Sequence, residues 1–266
     1  PDDFSRRIAR NTQIALAEES NIGRVNDPGG GGWFIESMTR QLAGKAWEIF
    51  QGLDAQGFVA ALADGTIRAQ LDEVNAARAK GLATRKVPLT GVSMFPNYRE
   101  TLPQRPARPE APEYKGLLPI RDAQLFENLR DRSDAARATG NGPKVLLALL
   151  GARRDFGGRE GFTSNLFQVG GIETIGAEGK EPADFARQLT ESGTTIAVLC
   201  SSARVYADQG IAVAQALRDA GATQVLIAGQ IKELGTDEVD GLIDGNVFDG
   251  MDVVALLTAT LDKLGA

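Results

Sequence analysis

The spacing of apolar and polar residues changes character at Pro143. Over residues 143–266, five short apolar runs alternate with amphipathic stretches. We predict strands at residues 145–150, 172–175, 195–200, 224–228 and 246–248, and helices at residues 161–169, 182–192, 210–220, 236–243 and 251–264. This alternation predicts an α/β fold, a parallel five-stranded sheet with helices on both faces in the flavodoxin-like strand order.

The residues before Pro143 follow a helical rhythm instead. Apolar positions recur at helical spacing over residues 3–20, 33–53, 58–82 and 120–137, and residues 83–95 read as a short extended segment. Residues 96–119 hold six of the 11 prolines, which is typical of a linker or of a belt over a surface. We therefore expect a helical part at residues 1–95, a proline-rich linker and helix at residues 96–142, and the α/β domain at residues 143–266.

A run of four glycines follows Asp27 and Pro28. A phosphate-binding loop would carry an apolar strand before the glycines and a Lys-Ser/Thr pair after them, and the sequence has neither. We predict a tight backbone turn within residues 21–32.

The stretch after the first strand is the natural place for a ligand, because doubly wound sheets bind ligands at the carboxyl ends of their strands. A loop is predicted there, containing Arg153, Arg154, Asp155, Gly157 and Gly158. Together with Arg159, its arginines have the chemistry to hold a phosphate or a carboxylate. Solvation, or pairing with Asp155 and Glu160, is the favoured interpretation.

Composition excludes several classes of function. The net charge of -6 does not favour nucleic acid or an acidic lipid surface, and no apolar run approaches a membrane span. There is no histidine, so zinc sites, haem sites and histidine-based catalysis are not expected. The single cysteine, Cys200, indicates a reducing compartment such as the cytoplasm and reads as a small core residue. The chain starts at Pro1 without Met, so we expect a fragment or a processed product.

Several long motifs resemble methylmalonyl-CoA mutases. They are RIARNTQIALAEES at residues 7–20, DPGGGGWFIESMT at residues 27–39, LAGKAWEIFQ at residues 42–51 and ATRKVPLTGVSMFPN at residues 83–97. These are similar to the end of that family's substrate-binding TIM-barrel domain, and residues 118–133 resemble its inter-domain connection. Residues 143–266 resemble its cobalamin-binding domain. The resemblance thus covers the whole chain.

The resemblance also implies that the cobalamin site is degenerate. The family's catalytic chain carries Asp-x-His-x-x-Gly in the first loop, where the histidine ligates cobalt and the aspartate orients it. The equivalent positions here are Arg154, Phe156 and Arg159. The family's Ser-x-Leu becomes Ser201-Ser202-Ala203, and its Gly-Gly becomes Ala228-Gly229. Cobalamin bound through a histidine is excluded, and cobalamin that keeps its own lower base would need room for its nucleotide tail beside strand four.

This pattern implies the small, non-catalytic subunit of a heterodimeric mutase. We expect no catalytic residue, no metal and no cofactor on this chain. Its partner would be a homologous large subunit that carries adenosylcobalamin and isomerises methylmalonyl-CoA and succinyl-CoA. Without most of a barrel, the chain should not bind the acyl-CoA by itself, and we expect Trp33, Phe34, Trp47 and Phe50 to mark exposed apolar surface.

Two alternatives remain open. A catalytic mutase of unusual type is disfavoured by the absent histidine. A flavodoxin-like ligand-binding or regulatory module with an anion site at its first loop is the other. Its receiver form would need clustered acids where strand one ends in Gly-Ala-Arg-Arg. Ser201 and Ser202 have no base in the sequence that would activate them as nucleophiles.

Overall fold

The computed structural model describes residues 2–101, 116–117, 119–236 and 239–266. Most of the proline-rich stretch therefore lies outside the described residues. The chain forms two compact units, residues 1–74 with 101–118, and residues 75–100 with 119–266. The domain boundaries predicted at residues 95 and 142 stay a prediction.

The first unit is helical. Helix α1 spans Asp3–Glu18, a 3-10 turn spans Ile22–Arg24, α2 spans Trp33–Gln56 and α3 spans Phe58–Ala63. Helix α4, Thr66–Ala83, begins in this unit and ends in the second. Asp2 caps α1 by accepting a hydrogen bond of 2.8 Å from the Ser5 N–H, which is one reason why the helix begins there.

The four glycines form the predicted tight turn. The Gly30 N–H donates to the Asp27 carbonyl at 2.9 Å, and the Gly32 N–H donates to the Gly29 carbonyl at 3.1 Å. The Gly31 N–H donates to the carboxylate of Glu36 in the first turn of α2. The N–H groups of Gly30, Gly31 and Gly32 are thus hydrogen-bonded within the turn or to the first turn of α2.

Apolar side chains of α2 are exposed, as expected. Trp33 is 94% exposed and Phe34 76%, and Trp47 and Phe50 are both more than half exposed. Among residues 2–74 only Ala61 is buried. This unit therefore has little core of its own.

The second unit contains the sheet. Its strands are β1 (Lys144–Leu149), β2 (Glu173–Glu178), β3 (Ile196–Cys200), β4 (Gln224–Ala228) and β5 (Gly245–Val247). All pairings are parallel and the order is β2-β1-β3-β4-β5, so the flavodoxin-like prediction is confirmed. The central strands are buried on both faces, which explains their continuous apolar runs.

Helices cover both faces of this sheet. They are α5 (Gln124–Ala138), α6 (Arg153–Val169), α7 (Pro182–Ser192), α8 (Ala203–Val205), α9 (Ile211–Asp219) and α10 (Val253–Leu264), with a 3-10 turn at Ile231–Leu234. A π-helical segment, Tyr206–Gly210, joins α8 to α9. Two separate apolar cores result, one with side chains of α5, α6 and α10 and the other with side chains of α7 and α9.

Three local predictions are corrected. Helix α6 begins at Arg153 rather than at residue 161, because Asp155 caps it, so Gly157 and Gly158 are helical. The helix predicted at residues 210–220 is observed as α9, but α8 and the π-helical segment before it were not predicted. The helix predicted at residues 236–243 is not observed, because the described residues of that stretch form turns instead. Residues 83–95 form turns with a positive φ at Arg85 and Phe95 rather than an extended segment.

No helix in the described part of the chain combines the length and the apolar character needed to cross a bilayer.

Candidate functional site

The carboxyl edge of the sheet is where the predicted site residues lie. Strand β1 leads through Gly151, which has a φ of +84°, directly into α6. The Asp155 carboxylate accepts a hydrogen bond of 3.0 Å from the Ala152 N–H, so a carboxylate already occupies the amino terminus of this helix. A bound anion at that terminus would meet the charge of Asp155.

Phe156 is part of the core. Its side chain is 1% exposed and belongs to the same apolar cluster as Leu149, Cys200 and Ala228. A hydrocarbon ring has no lone pair to give to a metal. The position that the family resemblance assigns to a cobalt ligand is thus filled by a core residue that has no coordinating atom.

Arg159 turns inward over the end of β4. One guanidinium nitrogen donates to the Ala228 carbonyl at 2.7 Å, and the other pairs with Glu233 at 2.6 Å. Burial alone would lower the pKa of Arg159, but the hydrogen bond to Glu233 and the interaction with Tyr206 outweigh it, so the pKa is raised. Arg159 is a fixed cation that already has its partners.

Tyr206 lies beneath this guanidinium. The Arg159 carbon Cζ is 5.1 Å from the centre of its ring, a cation–π contact. The ring is fully buried. Its hydroxyl accepts from the Ser201 N–H at 2.8 Å and lies 2.8 Å from the Leu199 carbonyl oxygen and 2.9 Å from that of Ala228. The phenol thus bridges the ends of β3 and β4, and burial raises its pKa, so it stays protonated.

Gly229 fits only as glycine at this edge. Its φ is +136°, and an added Cβ would lie 2.5 Å from Arg159 Nη1 and 2.6 Å from Glu233 Oε1. The neighbouring Ala228 is buried, and its carbonyl oxygen receives the Arg159 hydrogen bond. The space beside Ala228 and Gly229 is thus taken by side chains of the protein itself.

The three residues after β3 differ in burial and in hydrogen bonding. Ser201 is buried and donates 2.7 Å to the Leu150 carbonyl oxygen, which ties β1 to β3. Ser202 Oγ is buried without a hydrogen-bond partner at the start of α8. Ala203 is exposed in the first turn of that helix. Ser201 is therefore a structural residue.

The loop arginines do not converge on a common point. Arg153 is largely exposed and 3.7 Å from Glu160, while Arg154 is exposed. Arg159 points to the sheet, and Asp155 lies 3.5 Å from Arg204 instead of pairing with a loop arginine. These contacts do not favour the anion site considered for this loop, because Arg159 already has its partners and consecutive residues of a helix point in different directions.

Cys200 has no features of a nucleophile. It is buried, and burial raises the pKa of its thiol to about 12. Among the described residues, no group of three histidine, cysteine, aspartate or glutamate side chains is placed to hold a metal ion. The described side chains at this edge are engaged in packing, hydrogen bonds and the Arg159–Glu233 ion pair.

Sequence reasoning missed Tyr206 and Glu233. Tyr206 is the only tyrosine after Pro143, and it lies just past the carboxyl end of a predicted strand. These two facts are the sequence features that could have singled out Tyr206 as a site residue. Glu233 carried no signal of its own, because it lies 74 positions from Arg159 along the chain.

The family assignment rests on the part of the chain before β1. Residues 1–139 match the family model described as methylmalonyl-CoA mutase. The chain belongs to the methylmalonyl-CoA mutase family. The family resemblance seen in the sequence is thereby confirmed.

Two small subunits match this mutase-family chain over nearly its whole length. It is 50% identical to the methylmalonyl-CoA mutase small subunit of Propionibacterium freudenreichii subsp. shermanii, over 99% of this chain and 41% of the relative. It is 44% identical to the small subunit of Streptomyces virginiae, over 100% of this chain and 42% of the relative. A methylmalonyl-CoA mutase of Cereibacter sphaeroides is 34% identical over 51% of this chain. The chain thus spans about two fifths of the length of the small subunits that it matches.

Proposed function

We propose that this chain is part of the non-catalytic small subunit of a heterodimeric methylmalonyl-CoA mutase. Its role is to support a homologous large subunit, which carries adenosylcobalamin and interconverts methylmalonyl-CoA and succinyl-CoA. The names of the relatives that cover 99% or more of this chain support this assignment.

The observation that carries the proposal is that the protein's own side chains occupy the carboxyl edge of the sheet. Phe156 stands where a cobalt ligand would be required and is buried in the core. Arg159 pairs with Glu233 and lies over the Tyr206 ring at the carboxyl edge, where this fold class binds ligands. The residues present do not fit a cobalamin, so no step of the reaction is assigned to this chain.

Two further observations agree with a supporting role. The exposed tryptophans of α2 are typical of a surface that another polypeptide segment covers. The free, buried Cys200 fits the reducing cytoplasm, where we place the complex.

The test combines spectroscopy with association. The chain is titrated with adenosylcobalamin at micromolar concentration, alone and together with a catalytic large subunit of this family, and the visible absorbance and the elution volume are recorded. We expect no spectral change with the chain alone, and co-elution with the large subunit when both are present. The large subunit alone serves as the control.

Either half of the proposal can fail separately. A saturable spectral change with the isolated chain would contradict the absence of a cofactor. Absence of co-elution when the chain and the large subunit are mixed would contradict the supporting role.

A further inference from the structure

The carboxyl edge keeps the architecture of a ligand crevice. In doubly wound sheets, ligands bind outside the carboxyl ends of the strands, near the point where the strand order reverses. Here the order reverses between β1 and β3, and the Tyr206 hydroxyl lies beside that point, at the carboxyl ends of β3 and β4. A side chain of the protein therefore lies at the carboxyl edge on which this fold class binds ligands, next to the switch point.

The π-helical segment brings Tyr206 to this place. Tyr206 is its first residue and Gly210 its last, and π-helical turns inside α-helices are frequent at functional sites. A Cβ on Gly210 would clash with Leu234 Cδ2. Gly210 therefore lets the 3-10 turn of Leu234 close against this segment, and Leu234 belongs to the same apolar cluster as Tyr206.

The surroundings of the ring define a chemical class. Its wall is apolar, and its far end offers two carbonyl oxygens and one N–H at hydrogen-bonding distance of the hydroxyl. One face lies under the Arg159 guanidinium. Such a space suits a small, flat aromatic molecule with one hydrogen-bonding group that both donates and accepts.

We propose that Tyr206 determines the ligand selectivity of this edge by acting as a built-in occupant of the crevice. Its removal opens a site for a small hydroxylated aromatic molecule, whereas the unaltered chain excludes one. This inference rests on the proposed function and deepens it. Besides the missing histidine, it gives a second reason why this edge binds no cofactor, namely that the Tyr206 side chain closes the crevice.

The experiment uses phenol as the probe, because phenol is what Tyr206→Ala removes. Binding is followed by isothermal titration calorimetry and by the shift of the thermal unfolding midpoint. We expect Tyr206→Ala to bind phenol saturably with a Kd below about 1 mM, which seven heavy atoms in an enclosed site can supply. Toluene, which lacks the hydroxyl, should bind about tenfold more weakly, the factor for one net hydrogen bond.

Three chains serve as controls. The unaltered chain and Tyr206→Phe should bind neither probe, since both keep the ring. Phe185→Ala removes a ring that is 1% exposed from the same apolar cluster. It should show no preference for phenol over toluene, because the hydrogen-bonding groups that confer the preference surround the Tyr206 hydroxyl.

Several results would overturn the inference. They are saturable phenol binding by the unaltered chain, no saturable binding by Tyr206→Ala, or equal affinity of that variant for toluene. If Tyr206→Ala is unfolded in buffer, it is studied in sucrose, which favours the folded state. Phenol at about ten times the expected Kd should then add about 1.4 kcal/mol to its free energy of unfolding, and the absence of such a gain also counts against the inference. None of these results depends on large-subunit association or on the cobalamin titration, so the two proposals fail separately.

Discussion

The carbonyl oxygen of Ala228 shows how single residues close this edge. It accepts from Arg159 at 2.7 Å, and the Tyr206 hydroxyl lies 2.9 Å away. The guanidinium is held in turn by Glu233, and Gly229 leaves room for both side chains. Arg159 is only partly buried, but a partly desolvated cation that lost its partners would still be costly, so the members of this arrangement support one another.

The Gly229→Ala substitution tests that dependence. The new Cβ would meet the Arg159–Glu233 pair at 2.5 and 2.6 Å and would hold alanine at a φ of +136°. We expect a loss of at least about 2 kcal/mol in the free energy of unfolding, from backbone strain and from displacement of the pair. Urea denaturation measures the loss.

Gly250→Ala is the matched control. Gly250 also has a positive φ, of +84°, but an added Cβ meets nothing within 4 Å. Its cost should be near 1 kcal/mol, the value for backbone strain alone. Equal losses in the two variants would show that the Arg159–Glu233 pair tolerates the added methyl group.

At the scale of elements, α5 is part of the second unit rather than a passive connection. Its Phe126 and Leu129 are buried in the core shared with α6 and α10. Ser133 donates to the Gly170 carbonyl oxygen at the end of α6, and Arg132 pairs with Asp262 of α10 at 2.6 Å. The helix therefore covers one end of the sheet's core and satisfies a helix terminus.

Removal of one α5 side chain should show how strongly this helix is held. Phe126 is 1% exposed, and Phe126→Ala should lower the free energy of unfolding by about 3–5 kcal/mol, the range for a deleted core aromatic ring. Phe95→Ala, whose ring is 75% exposed in the same unit, should cost less than about 0.5 kcal/mol. A loss below about 1 kcal/mol for Phe126→Ala would mean that α5 is not required for the packing of the sheet.

At the scale of the whole molecule, burial in the second unit keeps the side chains of Cys200 and Tyr206 in their neutral forms. Burial raises the pKa of Cys200 from 9.0 to about 12, and burial also raises the pKa of Tyr206, with a smaller contribution from Cys200. The folded chain holds these protons more tightly than the unfolded chain does. Stability from Cys200 is therefore complete below about pH 9 and is lost as the pH rises toward 12.

Alkaline unfolding should report this difference. Above pH 9.0 we expect the free energy of unfolding to fall, with Cys200 contributing up to about 1.4 kcal/mol per pH unit. Urea midpoints are measured at about pH 8, 9 and 10 for the unaltered chain and for Cys200→Ala, which removes the thiol. Between the two highest values the variant should lose stability less steeply, and parallel curves would show that the thiol titrates as it does in the unfolded chain.

The sequence by itself determined most of the second unit's architecture. The helix Pro182–Ser192 and the strand Gln224–Ala228 match their predicted bounds, because an apolar run between glycine and polar breakers permits few other structures. The strand order is the flavodoxin-like one predicted from the alternation of strands and helices. The absence of histidine was also enough to remove a cobalt ligand from this chain.

Only the tertiary structure decided what fills the carboxyl edge. The glycines at 157 and 158 suggested a loop, but Asp155 caps α6 at Ala152 and packing on the sheet carries the helix through them. The direction of Arg159 depends on Glu233 and Ala228, which are remote in sequence, and the position of Tyr206 depends on a π-helical turn that leaves no periodic pattern. Local patterns predict elements because they reflect contacts between near neighbours, whereas a crevice closes through side chains from separate β/α units that meet only after the sheet has formed.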